Sequence, residues 1–444
     1  MNNSITKYET NFRRKLFMNE TSNIKLKEDN SNEENKIINI YPNIEFQKLI
    51  GFGGALTGST CCNLSSCSDD IKEQILDEYF SKDKMNYAIC RISIGSSDFN
   101  PKSYSYSYKN DLSDFSISED MKYVIPIIKE VQKLNKGIKF LASPWSPPAF
   151  MKNNNKIILG GKLLPEFKEN YAKYLVKFIK AYKKEEINID YMTIQNEPMA
   201  KQIWESCIYT PEEEMDLLVN YIYPEFKKND INTKLLIWDH NKDKLMQRTL
   251  DSFNVPGTLD KVSGIAFHWY TGDHFENIEL LCKTFPNKLL FHTEGCTGYS
   301  FFRKKDEIKN AEIYAHDIIG DLNAGINAYL DWNIVLDHKG GPNHKFNYCN
   351  SPIMLNRDKS KYIKNLSFYY IQHFSRFIKP EAKRIGYSKF SDKFEVTAFK
   401  NLDNGVIIVL LNKNDKNVEY NLKINGQIFH DNLDKHAIVT LVVK

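Results

Sequence analysis

The feature that most constrains the fold is a series of eight short apolar runs separated by helix-like segments. Each run is continuous and does not alternate between apolar and polar residues, which is typical of strands buried on both faces. The runs span residues 49–56, 87–95, 138–145, 189–198, 233–240, 263–270, 288–295 and 326–336. Eight such strands alternating with helices predict an α/β fold, a parallel (β/α)8 barrel. An open doubly wound sheet is the alternative, but the sequence has no glycine-rich phosphate loop after the first strand.

Helix start signals stand between the runs. Ser68 precedes two acidic residues, Pro165 opens a long amphipathic segment, and Thr210 precedes Pro211 and three glutamates. Capping side chains, an early proline and acids in the first turn are all typical of helix N-termini. We expect the last long helix at 361–378.

The pattern changes at about residue 380, where short strand-like runs follow one another at hairpin spacing. Turn sequences DNG at 403–405 and NG at 425–426 separate some of them. They predict a small antiparallel β-sandwich domain, and we expect the run at 36–41 to join it. The predicted domains are therefore a sandwich of 36–45 and 380–444 and a barrel of 46–379. The first 35 residues are polar and are predicted to form a mobile lead-in.

Length and charge narrow the class of protein. The 444 residues suit a barrel of about 250 residues with insertions and a smaller second domain. The net charge is +4, from 60 basic and 56 acidic residues, which does not favour nucleic acid or a membrane surface as a partner. No apolar run is long enough for a transmembrane helix. No signal-like apolar stretch follows the basic residues at 13–15, so we expect a cytoplasmic protein.

The chain contains eight cysteines. Three of them, Cys61, Cys62 and Cys67, are close together, but the spacing matches neither a zinc finger nor a disulfide framework. We expect free thiols in a reducing compartment, with a disulfide among these three cysteines as the alternative.

Two carboxylates stand near the ends of predicted barrel strands. Glu197 closes the fourth run and Glu294 the seventh. Catalytic residues of such barrels lie at the carboxyl ends of the strands, so the two side chains can face each other across the barrel mouth. A lone glutamate there would more simply form a salt bridge. The pair, together with Asn196 and aromatic residues at other strand ends, favours glycoside hydrolysis, which needs two carboxyl groups.

The residues near each glutamate suggest which is the acid/base and which is the nucleophile. Asn196 can donate a hydrogen bond to a sugar 2-hydroxyl, so the adjacent Glu197 is predicted to be the acid/base, with a raised pKa. Glu294 is then the nucleophile. Tyr270 and Arg91 are candidates to donate to Glu294 and hold it as an anion.

Eight sequence blocks carry a family resemblance from about Phe46 to the C-terminus. In order they are FQKLIGFGGALT, SSDF, ASPWSPP, QNEP, FHWY, HTEGC, DWN and NSPI. In this order they resemble glycoside hydrolase family 30, which implies a barrel with a β-sandwich, Glu197 as acid/base and Glu294 as nucleophile. The substrate-binding residues implied by the resemblance are Asp98, Trp145, Asn196, Tyr270, Trp332 and Asn347. The implied supporting residues are Arg91, His268 and Cys296.

The resulting expectation is a retaining exo-β-glycosidase that hydrolyses β-glucosides, with glucosylceramide, a glycolipid, as one candidate substrate. The alternatives are the same mechanism on β-xylosides, β-fucosides or β-1,6-glucan, and a non-catalytic sugar-binding protein. No cofactor is expected. No metal site is expected either, because His268 and His292 lie on different strands without further ligands.

Overall fold

The computed structural model describes residues 4–298 and 306–444. Its first four strands are β1 (Ser4–Asn11), β2 (Leu16–Lys25), β3 (Lys27–Glu28) and β4 (Ile37–Lys48). The predicted mobile lead-in is therefore wrong over most of its length. Strand β1 pairs with β2 and also, over seven residues, with the last strand of the chain. Backbone hydrogen bonds hold this polar segment in place, and Ile5 is among the few side chains that it buries completely.

The barrel prediction is confirmed. The barrel strands are β5 (Gly51–Ala55), β6 (Ile89–Ile94), β7 (Lys139–Pro144), β8 (Tyr191–Thr193), β9 (Lys234–Asn241), β10 (Gly264–His268), β11 (Leu289–Glu294) and β12 (Ala328–Asn333). All are parallel, and pairing of β12 with β5 closes the barrel. Each strand falls inside a predicted run, apart from one extra residue at the end of β9. Side chains such as Leu141, Leu236 and Phe291 form the core cluster inside the barrel.

Ten α-helices are described. They are α1 (Gly58–Ser65), α2 (Asp69–Phe80), α3 (Val124–Leu134), α4 (Lys168–Lys184), α5 (Pro211–Leu217), α6 (Tyr223–Lys228), α7 (Leu245–Phe253), α8 (Phe275–Thr284), α9 (Glu307–Ala324) and α10 (Leu366–Ser375). The predicted caps are present: Ser68 accepts from the amide of Ile71, and Thr210 forms a capping box with Glu213. Across 4–298 and 306–444, no helix has both the length and the apolarity needed to cross a bilayer.

After the barrel the chain forms a small sheet of β13 (Val335–Leu336), β14 (Ile353–Leu355) and β15 (Tyr362–Lys364). The predicted helix at 361–378 therefore begins only at Leu366, because residues 362–364 pair with β14. The segment between β13 and β14 lies at the mouth of the barrel, since it supplies residues of the cavity described below.

The remaining strands are β16 (Lys383–Lys389), β17 (Glu395–Lys400), β18 (Val406–Asn412), β19 (Val418–Ile424), β20 (Gln427–Leu433) and β21 (Ala437–Val443). With β1 to β4 they form one sheet in the order β2-β1-β21-β18-β17-β16-β4-β19-β20-β3, around a core of its own. The predicted sandwich is thus present, built from both ends of the chain. It is not wholly antiparallel, since β4 and β19 run parallel to each other. His373 of α10 ties it to the barrel by contacts with Thr10 and Thr440.

Candidate active site

A cavity of about 570 Å³ opens at the carboxyl ends of the barrel strands. It is lined by Asp98, Trp145, Asn196, Glu197, Ala200, Gln202, Trp204, His240, Asn241, Tyr270, Glu294, Cys296, Gly298, Trp332, Asn347, Tyr348 and Cys349. Nine of the eleven residues predicted from the sequence are in this lining. The other two, Arg91 and His268, are fully buried and contact the carboxylates of the lining residues.

The two glutamates approach each other closely in this cavity. Glu294 is the last residue of β11, and Glu197 lies four residues beyond the end of β8. Glu197 has a φ of 46°, in the left-handed region, so the chain turns sharply at this residue. One carboxylate oxygen of Glu197 lies within 4.8 Å of one carboxylate oxygen of Glu294. The two acids therefore share one reaction space.

Glu294 is held by two donors. The Nη1 of Arg91 lies 2.6 Å from its Oε2, and the hydroxyl of Tyr270 donates to its Oε1 over 2.9 Å. Arg91 also donates through Nη2 to Oδ1 of Asn196, at 2.8 Å. The side-chain oxygen of Asn196 is thus occupied, and its amide Nδ2 remains the group that can donate to a ligand.

Asp239 organises the floor of the site. The sequence alone leaves two roles open for Asp239 and His240, support of the nucleophile or polar groups at a strand end. Asp239 is fully buried near the end of β9 and accepts hydrogen bonds from five side chains. These donors are Arg91, Ser143, Thr193, His268 and Thr293, at 2.6 to 3.0 Å. Burial would raise the pKa of Asp239, but the charge of Arg91 and these hydrogen bonds outweigh it and hold that pKa far below its usual range.

His268 connects Asp239 to Glu197. Its Nε2 lies 3.0 Å from Oδ1 of Asp239, and its Nδ1 lies 3.1 Å from Oε1 of Glu197. Although burial opposes it, the charge of Glu294 and hydrogen bonds to two carboxylates raise the pKa of His268 to about 9. The imidazole is therefore a cation at neutral pH and donates from both nitrogens.

The predicted rise in the pKa of Glu197 is not found. Burial does raise that pKa, but the hydrogen bond and charge of His268, together with the charge of nearby His240, outweigh it and lower the pKa overall. His240 Nε2 lies 3.9 Å from Oε2 of Glu197. The predicted rise in this pKa follows from the two glutamates alone. The charges of His268 and His240 do not enter it.

The inner part of the cavity offers groups suited to a sugar. Trp145 and Trp332 are both buried and stack with ring centroids 5.4 Å apart. Asp98 accepts a hydrogen bond from Nδ2 of Asn347 at 2.7 Å, and burial raises the pKa of Asp98 to about 7. Aromatic faces with nearby carboxylate and amide groups can bind the apolar faces and the hydroxyls of a pyranose.

The lining also contains eight residues that are not among the eleven predicted ones. They are Ala200, Gln202 and Trp204 after β8, His240 and Asn241 at the end of β9, Gly298 after β11, and Tyr348 and Cys349 between β13 and β14. His240 ends a predicted apolar run and Asn241 follows it, which is a usable signal. The other six lie in loops without periodicity.

Among residues 4–298 and 306–444, two groups of side chains have their ligand atoms within 4.8 Å of one another, as a metal site would need. One is Glu197, His268 and Glu294. The other is His292, Asp317 and Asp321. In the first group Arg91 already compensates Glu294, and in the second Lys242 lies 2.5 and 2.7 Å from the two aspartates. A cation would have to compete with these ion pairs, so both groups are better described as compensated charge networks.

A closed (β/α)8 barrel with two facing carboxylates beside tryptophans and amides defines a glycoside hydrolase. The sequence agrees with this class: residues 49–378 match the glycosyl hydrolase family 30 TIM-barrel domain, and residues 381–441 match the family's β-sandwich domain. The chain belongs to glycosyl hydrolase family 30.

Two relatives illustrate this membership. Lysosomal acid glucosylceramidase of Mus musculus is 31% identical over 402 residues, which is 86% of this chain and 78% of the mouse protein. Putative glucosylceramidase 3 of Caenorhabditis elegans is 36% identical over 385 residues, 82% of this chain and 73% of the worm protein.

Two solved structures resemble the whole chain. SrfJ from Salmonella typhimurium superimposes with a TM-score of 0.96 at 32% identity, covering 100% of this chain and 99% of SrfJ. The endo-β1,6-glucanase BT3312 superimposes with a TM-score of 0.89 at 27% identity, covering 99% of each chain. The barrel and the sandwich are therefore shared with these proteins as one unit.

Proposed function

We propose that the chain is a retaining, exo-acting β-glucosidase. The observation that supports it most strongly is the approach of Glu197 and Glu294 to within 4.8 Å between carboxylate oxygens. Retaining glycosidases place their two carboxyl groups about 5 to 5.5 Å apart, whereas inverting enzymes leave about 6.5 to 9.5 Å for a water molecule.

In the proposed first step, an oxygen of Glu294 attacks the anomeric carbon while the glycosidic bond breaks. The proton of Glu197 passes to the leaving oxygen. In the second step Glu197 takes a proton from water, and that water displaces Glu294 from the sugar. Arg91 and Tyr270 orient the attacking carboxylate throughout.

Glu197 must be protonated for the first step, although its pKa is lowered without substrate. Its side chain is still 16% exposed to solvent. A sugar that fills the cavity would remove this remaining water, and loss of water disfavours the charged carboxylate. We therefore expect substrate binding to raise the pKa of Glu197 towards the value that a general acid needs.

The preference for chain ends rests on the burial of the residues around the sugar site. Asp98, Trp145 and Trp332 are nearly inaccessible to solvent, so the sugar side of the cavity is enclosed. Tyr270, whose hydroxyl contacts Glu294, also lines the cavity and is 41% exposed, so the cavity opens to solvent near this ring. A sugar site enclosed by buried side chains within a cavity that opens to solvent suits removal of a terminal residue.

The similarity to glucosylceramidases supports a glucoside as substrate and makes glucosylceramide one candidate. The similarity to an endo-β1,6-glucanase structure favours β-1,6-glucan as the second candidate. Turnover of nitrophenyl β-glycosides, of β-1,6-glucan and of glucosylceramide micelles, each measured separately, distinguishes these candidate substrates. We expect glucoside turnover above xyloside and fucoside turnover, with the β-anomer of glucose formed first in proton NMR. Faster xyloside turnover, or the α-anomer first, would refute the proposal.

We also propose a reducing, cytoplasmic environment. Its support is that all eight cysteines are free thiols, including Cys61, Cys62 and Cys67. Fractionation of the source cells with antibody detection tests this. Recovery of the protein outside the cells would contradict it.

A further inference from the structure

Two thiols meet at the rim of the cavity. Cys296 lies two residues after Glu294, and Cys349 lies two residues after Asn347, between β13 and β14. Their sulfurs are 3.1 Å apart, and both residues line the cavity. Cys349 is buried and Cys296 is partly exposed.

The backbone keeps these two segments side by side. The amide of Asn350 donates to the carbonyl of Thr297 over 3.0 Å, and Gly298 forms a β-bridge with Cys349. A disulfide has its sulfurs about 2.0 Å apart, so bond formation needs an approach of only about 1 Å. Because the backbones of the two segments are already paired, the sulfurs can approach without a large change in the loop conformation.

We propose that Cys296 and Cys349 are a reversible modification site, in which an internal disulfide lowers the activity of the adjacent site. The effect on activity rests on the proposed glucosidase function, whereas formation of the disulfide does not. The co-reactant is a low-molecular-weight disulfide of the glutathione class.

The chemistry proceeds by two exchanges. The thiolate of Cys296, the more accessible sulfur, attacks one sulfur of the small disulfide and releases one small thiol. The thiolate of Cys349 then attacks the Cys296 sulfur of this mixed disulfide and releases the second small thiol. The protein loses two electrons and two protons, and one small disulfide becomes two thiols. Excess small thiol reverses both steps.

The bond would act on the site through its neighbours. The sulfur of Cys296 lies 3.6 Å from the hydroxyl of Tyr270, which donates to Glu294. Cys349 is on the same short segment as Asn347, which donates to Asp98. Drawing the two sulfurs together therefore disturbs a donor to the nucleophile on one side and a sugar-binding pair on the other. A displacement of about 1 Å near reacting atoms can cost about 100-fold in rate.

The test incubates the protein with oxidised glutathione and maps its disulfides under non-reducing conditions. We expect a peptide pair joining Cys296 to Cys349, an intact mass lower by two hydrogens, and a fall in kcat/KM of at least about tenfold. Dithiothreitol should restore the activity. Two outcomes overturn the proposal: a mixed disulfide that persists on Cys296, or an internal disulfide with unchanged activity.

Variants distinguish inactivation through the Cys296–Cys349 disulfide from inactivation through other thiols. The activity of each oxidised variant is compared with that of the same variant in its reduced form. Cys349→Val, with Cys349→Ser as a second version, should resist inactivation by oxidised glutathione. Cys282→Ser removes a partly exposed thiol on α8 and should remain as sensitive as the parent. Inactivation that persists in both Cys349 variants contradicts the proposal. If the reduced protein has no glucosidase activity, the proposed function fails, and the disulfide map still decides whether the bond forms.

Discussion

Arg91 and Glu294 form a buried ion pair in which Nη1 and Oε2 are 2.6 Å apart. Arg91 is fully buried, and its second guanidinium nitrogen contacts both Asp239 and Asn196. A single cation thus fixes the proposed nucleophile, the carboxylate beneath it and an amide that faces the substrate. Without Arg91, Glu294 would keep only the hydrogen bond from Tyr270, and Asp239 would lose its compensating guanidinium although four other donors remain.

Replacing Arg91 by methionine should therefore damage both activity and stability. Removal of one partner from a buried ion pair costs about 3 to 5 kcal/mol, because the remaining charge is uncompensated. We expect a loss of this size in the free energy of unfolding and a fall in kcat/KM of more than about 100-fold, since a misplaced nucleophile is costly. Denaturant unfolding and nitrophenyl glucoside kinetics measure the two effects.

A matched control is available in Arg248, whose pair with Glu214 is also buried, at 2.8 Å, away from the cavity lining. Arg248→Met should destabilise the protein comparably with a much smaller change in kcat/KM of the folded fraction. Equal losses of kcat/KM in the two variants would contradict the positioning role of Arg91.

The raised pKa of His268 predicts a pH dependence of stability. Its ordinary value is about 6.5 and its value in the folded protein is about 9. The cation therefore contributes stability that is fully present below pH ~6.5 and is lost as pH rises through about 9. In His268→Gln, the fall in unfolding free energy between these pH values should be smaller by up to about 3 kcal/mol.

His373 provides the control for this pH effect. It is also fully buried, but burial lowers its pKa to about 3, so it stays neutral over the same interval. His373→Gln should keep the decline in stability above pH ~6.5 that the parent shows. An identical decline in parent and His268→Gln would mean that His268 is not the titrating cation.

Asp98 should show a conflict between stability and activity. Burial raises its pKa to about 7, so ionisation in the folded protein opposes folding increasingly as pH rises from about 4 to about 7. The unfolding free energy of Asp98→Asn should therefore exceed that of the parent by more at pH 8 than at pH 4. It should also lose about 100-fold in kcat/KM, because the carboxylate no longer accepts from sugar hydroxyls. Thermal unfolding at both pH values tests the first effect, and a variant stabilised equally at both would contradict it.

The role assigned to Glu197 predicts rescue by a small nucleophile. Glu197→Ala should retain sugar transfer to Glu294 from substrates with good leaving groups but should hydrolyse the intermediate slowly, because no base activates water. Azide needs no such base, so it should accelerate turnover and yield β-glucosyl azide, identified by NMR. Formation of the α-azide would instead indicate that residue 197 is the nucleophile.

The sequence predicts the barrel well because parallel strands buried on both faces leave continuous apolar runs. It does not predict β1, because that strand pairs with β21 through backbone groups and keeps a largely polar sequence. The two glutamates can be predicted from their places at strand ends. The role of Asp239 cannot, since it depends on donors from β6, β7, β8, β10 and β11. The contact of Cys296 with Cys349 likewise joins residues 53 positions apart.

Glu294 is the proposed nucleophile of a retaining β-glucosidase. The most direct measurement is inactivation with a cyclophellitol-type epoxide of glucose configuration, followed by peptide mapping of the labelled protein. We expect one covalent label per chain, located on Glu294. A label on Glu197 or Asp98, or full activity after prolonged exposure to the epoxide, would contradict it.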